Sequence, residues 1–178
     1  MNLPDKLLAI HVALAGAGVD HAFGGALALA WCTEQARGTI DIDLNLFAAP
    51  ECARELLAAL PAEVTWTDAE VALVERDGQA RLWWGPTPVD VFTNTTPFHE
   101  EVATRVRWED LAGQRLPFLD CGDLAVFKAF FNRTRDWADL EDMAAAGSLD
   151  VEAVAGVLAT HLGGDDDRIE RLRRLRPA

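Results

Sequence analysis

The chain has 178 residues, half of them hydrophobic, and a formal net charge of −13. That length suits one domain, or a domain with a small appendage, and the composition excludes a disordered chain. The acidic charge excludes an extended nucleic-acid-binding surface but leaves room for a local basic patch, and no apolar run is long enough to span a bilayer.

From Met1 to Asp20 the charges sit inside an amphipathic pattern, without a signal peptide's n-region and cleavage site. Pro4 to Ala17 reads as a first helix. Asp20 to Phe23 reads as a short strand leading into Gly24-Gly25, and Ala26 to Gln35 as a helix. Thr39 to Phe47 is the clearest strand, by strict alternation. Its period of two puts Asp41 and Asp43 on one face and Ile40, Ile42, Leu44 and Leu46 on the core face. Pro50 to Leu60 follows as a helix. A β-rich middle is expected over Glu63–Thr67, Val71–Arg76, Gln79–Trp84 and Pro88–Thr93, with a hairpin at Asp77-Gly78 and a break at Gly85-Pro86-Thr87-Pro88. Arg105–Trp108 and Gln114–Leu119 form a further short pair around Ala112-Gly113. Beyond Cys121 the pattern is helical: Asp123–Arg133, Asp136–Ala146, Asp150–His161 and Asp165–Arg176, with Gly147 and Gly163 at helix C-termini. The expected class is α/β (α+β): a small mixed β-sheet with flanking helices over residues 1–120, then a helical C-terminal part, 121–178, packed on it.

Several chemistries are closed. Ser148 is the only serine and suits a helix N-cap, which argues against a serine hydrolase. His11, His21, His99 and His161 lack zinc spacing, and neither a Walker-A loop nor GxGxxG occurs. Cys32, Cys52 and Cys121 read as buried thiols in a reducing cytosol, which gives a cytoplasmic expectation.

The candidate site rests on carboxylates. Asp41 and Asp43, side by side on a strand, repel each other, and an oxygen-seeking divalent cation such as Mg²⁺ relieves the repulsion. Asp90 lies on another apolar strand, between Val89 and Val91. Three acids on adjacent strands fit metal-assisted phosphoryl transfer. The glycine pair allows close backbone approach and opens a helix, an arrangement suited to phosphate. Arg37 either reaches a phosphate or braces the turn by pairing with an acid, and Thr39 shapes the strand start. Lys128, one of only two lysines, sits among Phe127, Phe130 and Phe131; it either meets phosphate or lays its stem on apolar surface with its charge in water. Trp83-Trp84 reads as core or as a base-stacking pair. Asp165-Asp166-Asp167 followed by Arg168, Arg171, Arg173, Arg174 and Arg176 complements a helix macrodipole, with an RNA-binding stripe as the sharper alternative.

The order Gly24-Gly25, Asp41-x-Asp43, Asp90 resembles the DNA polymerase β-like nucleotidyltransferases. The form Arg37-x-Thr39-x-Asp41-x-Asp43-Leu44 resembles the subgroup of abortive-infection-type toxins and their bacterial relatives. A late helix block, Lys128, Arg133, Arg135-Asp136 and Asp139-Leu140, is similar to that subgroup's helix motif, so the resemblance spans residues 20 to 145. It implies that Asp41 and Asp43 hold Mg²⁺ (or Mn²⁺) and that Asp90 completes the metal site and helps activate an acceptor hydroxyl. Gly24 and Gly25 would offer backbone N–H groups to an NTP donor's triphosphate, and Lys128 would neutralise phosphate charge. The acceptors it implies are RNA, notably tRNA, for a toxin with a partner antitoxin; a small molecule such as an antibiotic; or a protein side chain. A non-catalytic nucleotide- or partner-binding module is the alternative of another class.

Overall fold

The computed structural model describes residues 1–36 and 38–175; Arg37 and Arg176 lie outside the described residues. The chain divides into two units. The first comprises Met1–Leu27 and Gly38–Leu119, and the second joins the segment beginning at Ala28 to the chain from Asp120 onward.

The first unit is built on a six-stranded sheet of order β3-β4-β2-β1-β6-β5. Its strands are β1 (His21–Phe23), β2 (Ile42–Leu46), β3 (Gln79–Trp84), β4 (Thr87–Thr93), β5 (Arg107–Leu111) and β6 (Gln114–Phe118). The sheet is mixed: β2 runs parallel to β4 and antiparallel to β1, β1 is parallel to β6, and β3–β4 and β5–β6 are antiparallel hairpins. Ile42, Leu44, Leu82, Val89 and Val91 are fully buried on one face of β2, β3 and β4. Helix α1 (Leu3–Gly16) opens with a capping box between Asn2 and Asp5 and buries Leu7, Ile10 and Leu14. The expected helix at Pro50–Leu60 is a single 3₁₀ turn, Pro50–Cys52, followed by α3 (Ala53–Ala58).

Four segments depart from the sequence reading. Val71–Arg76, expected as a strand, lies in helix α4 (Asp68–Asp77), and Asp77-Gly78 is its end rather than a hairpin. The cause is local. Thr67 and Glu70 form a capping box, Val71 and Val74 bury one stripe at i, i+3, and Gly78 closes the helix at φ +70°. A Cβ on Gly78 would lie 2.1 Å from Thr95 Cγ2. Glu63–Thr67 supplies only an isolated bridge, Thr65 to Trp83. Residues 97–103, with no element expected, form α5 (Pro97–Ala103). β2 begins only at Ile42, so Ile40 is 68% exposed rather than in the core. The reason is that Thr39 Oγ1 accepts the Asp41 N–H at 3.1 Å and diverts the backbone before the ladder starts.

The second unit holds α6 (Cys121–Phe131), α7 (Thr134–Ala145), α8 (Val151–Leu162) and α9 (Asp167–Arg173). Its core includes Trp137, Leu140, Met143, Ala155 and Leu172. Asp150, not Ser148, caps α8, accepting the Ala153 N–H, while Ser148 donates its hydroxyl to the Met143 carbonyl. Cys32 and Cys121 form a disulfide with a Cα–Cα distance of 5.6 Å, and Cys52 is free and exposed. Three buried thiols was therefore the wrong reading; 89 residues of sequence separation hid that two of the cysteines meet. Among the described residues, no helix is long and apolar enough to cross a membrane.

Candidate active site

The site is built on the open face of β3, β4 and β2. In the parallel β2–β4 ladder, Asp43 pairs with Asp90, and in the antiparallel β3–β4 ladder Arg81 pairs with Asp90. Directly paired residues share a face about 4.8 Å apart. Arg81, Asp90 and Asp43 thus form a row across three strands. Asp41, just before β2, lies two residues from Asp43 on the same strand path.

Arg81 grips Asp90 with its whole fork: Nε donates to Oδ1 and Nη2 to Oδ2, each at 2.7 Å. The guanidinium side chain is 52% exposed and the Asp90 side chain 18%. Arg81 is held charged well above the ordinary arginine range. The main causes are the hydrogen bonds to Asp90 and that acid's charge; the charges of Asp41 and Asp43 add to them. One guanidinium thus feels all three predicted carboxylates.

The glycine pair adjoins this row. Gly24, directly after β1, donates its N–H to the Asp43 carbonyl at 2.9 Å. Helix α2 (Gly25–Thr33) starts at the next residue, with Gly25 at φ +54°. A Cβ on Gly25 would fall 1.8 Å from Asp43 Oδ2, and one on Gly24 would fall 2.9 Å from Asn45 Nδ2. Only glycine fits between the helix start and the acid. Because the Gly24 N–H is spent on Asp43, it has no hydrogen to offer a phosphate.

Trp84 is core, whereas Trp83 is 45% exposed on the same face of β3 as Arg81. Its backbone is fixed by Thr65, whose N–H donates to the Trp83 carbonyl at 2.8 Å.

Most of the remaining candidates belong to the helical unit. Lys128, in the helical unit, is buried, and its Nζ sits 2.6 Å from Asp139 Oδ2. Its charge does not extend to water. Arg133 pairs with Asp136 at the start of α7. In and just after α9, Arg168 pairs with Asp166, Arg173 with Glu152 and Arg174 with Glu170, and Arg171 stacks 4.1 Å over the Trp137 ring. The predicted role of Arg37 falls outside the described residues.

Sequence reasoning missed Arg81. The signal was present: a two-residue turn at Gly85-Pro86 between alternating strands fixes Arg81 opposite Asp90.

Among the described residues, no three carboxylate, imidazole or thiolate groups are already gathered as a metal cage. The donor set nevertheless suits a hard cation. All three candidates offer hard carboxylate oxygens, Asp43 and Asp90 are direct neighbours in the ladder, and Asp90 already holds a cationic group with both oxygens.

No protein-family model matches the chain, and no curated protein matches it in sequence. Solved structures do. An antigenic nucleotidyltransferase-like protein from Paracoccidioides brasiliensis superposes with a TM-score of 0.53 at 15% identity, covering 98% of this chain and 95% of that one. The antibiotic-resistance factor ANT(2'')-Ia superposes with a TM-score of 0.51 at 16% identity, covering 96% and 88%. The chain has the nucleotidyltransferase fold.

Proposed function

We propose that the protein is a metal-dependent nucleotidyltransferase that moves a nucleotidyl group from an NTP to an acceptor hydroxyl. The observation that carries this is the carboxylate row Asp43–Asp90 packed against a glycine turn that opens a helix. In this reading Asp41, Asp43 and Asp90 would hold the cation, and through it the donor's phosphates, beside the start of α2. A bound Mg²⁺ supplies charge neutralisation on the triphosphate. Asp90, next to Asp43, takes the proton of the attacking hydroxyl once Arg81 releases it. Gly25 and the following amides of α2, which lack intrahelical partners, receive phosphate oxygens.

The acceptor we favour is a small hydroxylated cation. The net charge of −13 attracts such a molecule and repels RNA, and three arginines of the α9 region are already engaged by acids. The second reading is a toxin of the abortive-infection type acting on tRNA, with an antitoxin partner. It is favoured by the form Arg37-x-Thr39-x-Asp41-x-Asp43. The test is incubation with each labelled NTP and Mg²⁺ or Mn²⁺, offering either total RNA or an aminoglycoside panel. Label on an aminoglycoside supports the first reading and label on tRNA the second. Metal binding with no transfer to any acceptor marks a non-catalytic module.

A further inference from the structure

Asp43 and Asp90 are direct neighbours on one sheet face, and Asp41 lies two residues before Asp43, just ahead of β2. Without a counter-charge such an array is self-repelling. Among the described residues, one counter-charge belongs to the chain itself: Arg81, on the strand adjacent to β4, covers both oxygens of Asp90. We propose that Arg81 is a resident counter-ion of the carboxylate face, a positioning residue that keeps Asp90 aligned while metal is absent and is displaced from it by the incoming divalent cation. It thereby sets the cation concentration at which the site assembles. This rests on the proposed nucleotidyltransferase reading.

Three features separate Arg81 from an ordinary cross-strand pair. The first is stoichiometric. The fork occupies both Asp90 oxygens, so this acid cannot ligate a cation and stay bound to Arg81 in the same geometry. The second is exchangeability. The Arg81 side chain is half exposed, so solvent takes up its guanidinium cheaply when it leaves, whereas a buried pair would resist opening. The third is breadth. Asp41 and Asp43 also act on Arg81, so its charge offsets the whole array and not Asp90 alone.

The test is a nucleotide-free Mn²⁺ titration, reading free Mn²⁺ by electron paramagnetic resonance. R81M keeps an unbranched apolar stem on the open face and removes the competitor. It should bind Mn²⁺ about tenfold more tightly than the parent. R81K keeps the charge but loses the fork, so it should fall between the two. Adding D90N to R81M should erase the gain, because the acid that was freed is gone. A purely structural hairpin pair would leave Mn²⁺ affinity unmoved. Equal or weaker binding by R81M, with the parent binding Mn²⁺, overturns the counter-ion role and leaves the metal site standing. Binding by neither protein removes the metal site from the proposed function, and this inference with it.

Discussion

Two ion pairs, one in each unit, use nearly the same chemistry in opposite surroundings. Arg81–Asp90 lies on an open sheet face and is half exposed on the cation side; Lys128–Asp139 is enclosed between α6 and α7, with side-chain exposures of 8% and 2%. An exposed pair contributes about 0–1 kcal/mol, because water competes for both partners. Breaking a buried pair by removing one partner costs about 3–5 kcal/mol, because the other charge is stranded. The first pair is therefore suited to exchange and the second to bracing. The lesson is that residue type alone does not reveal a functional cation. Among the described residues, Arg81 is paired with the site acid Asp90, whereas Lys128 is paired with Asp139.

The contrast can be broken most visibly at Lys128. Lys128→Met should lower unfolding free energy by roughly 3–5 kcal/mol, read by urea denaturation, and pairing it with Asp139→Asn should recover a good part of the loss. The loss follows from burial of the ammonium against Asp139. Arg81→Met should cost no more than about 1 kcal/mol in the same assay. A small loss at Lys128 together with a large one at Arg81 would reverse the assignment.

Gly25→Ala sharpens the site half of the comparison. The added Cβ would have to displace the Asp43 carboxylate, at a backbone conformation unfavourable for alanine. Transfer should fall by about 10²-fold, the scale expected of a displacement near 1 Å. Gly85→Ala is the control. It also sits at positive φ, but nothing lies within 4 Å of its added Cβ, so transfer should change little.

A smaller effect concerns pH. The His21 Nδ1–H donates to the Val19 carbonyl at 2.8 Å, so its Nε2 accepts from the His11 Nδ1–H at 3.0 Å. His21 is held below its ordinary pKa, chiefly by burial, and His11 likewise by burial. The folded state thus binds fewer protons than the unfolded chain. Stability is complete above the unfolded value near 6.5 and declines as pH falls from there toward the lowered folded values. His21→Gln should flatten that decline in melting temperature between pH 7 and pH 5.

What was legible in the sequence follows from range. Asp43 on a strand, the buried alternation of Ile42, Leu44 and Leu46, the Gln114–Phe118 strand and the late helices are local patterns, readable within ten or so residues. The helix over Asp68–Asp77 was also locally legible. Thr67-x-x-Glu70 is a capping box, and it went unread beside the hairpin signal at Asp77-Gly78. The disulfide and the Lys128–Asp139 pair were not legible, because each joins different helices and spacing carries no sign of it. Arg81 lies between these cases. Its partner follows from the hairpin register, but only after the turn at Gly85-Pro86 is taken as a two-residue one.

The central claim is that the carboxylate face beside the glycine turn performs nucleotidyl transfer. The most direct measurement compares Asp43→Asn with the parent, following label transfer from NTP and thermal melting on the same preparations. Transfer should fall by about 10³-fold or more, equivalent to roughly 4 kcal/mol of transition-state stabilisation. The metal-free melting temperature should hold or rise as repulsion with Asp41 and Asp90 is relieved. An Asp43→Asn protein that transfers label at the parent's rate would contradict the account.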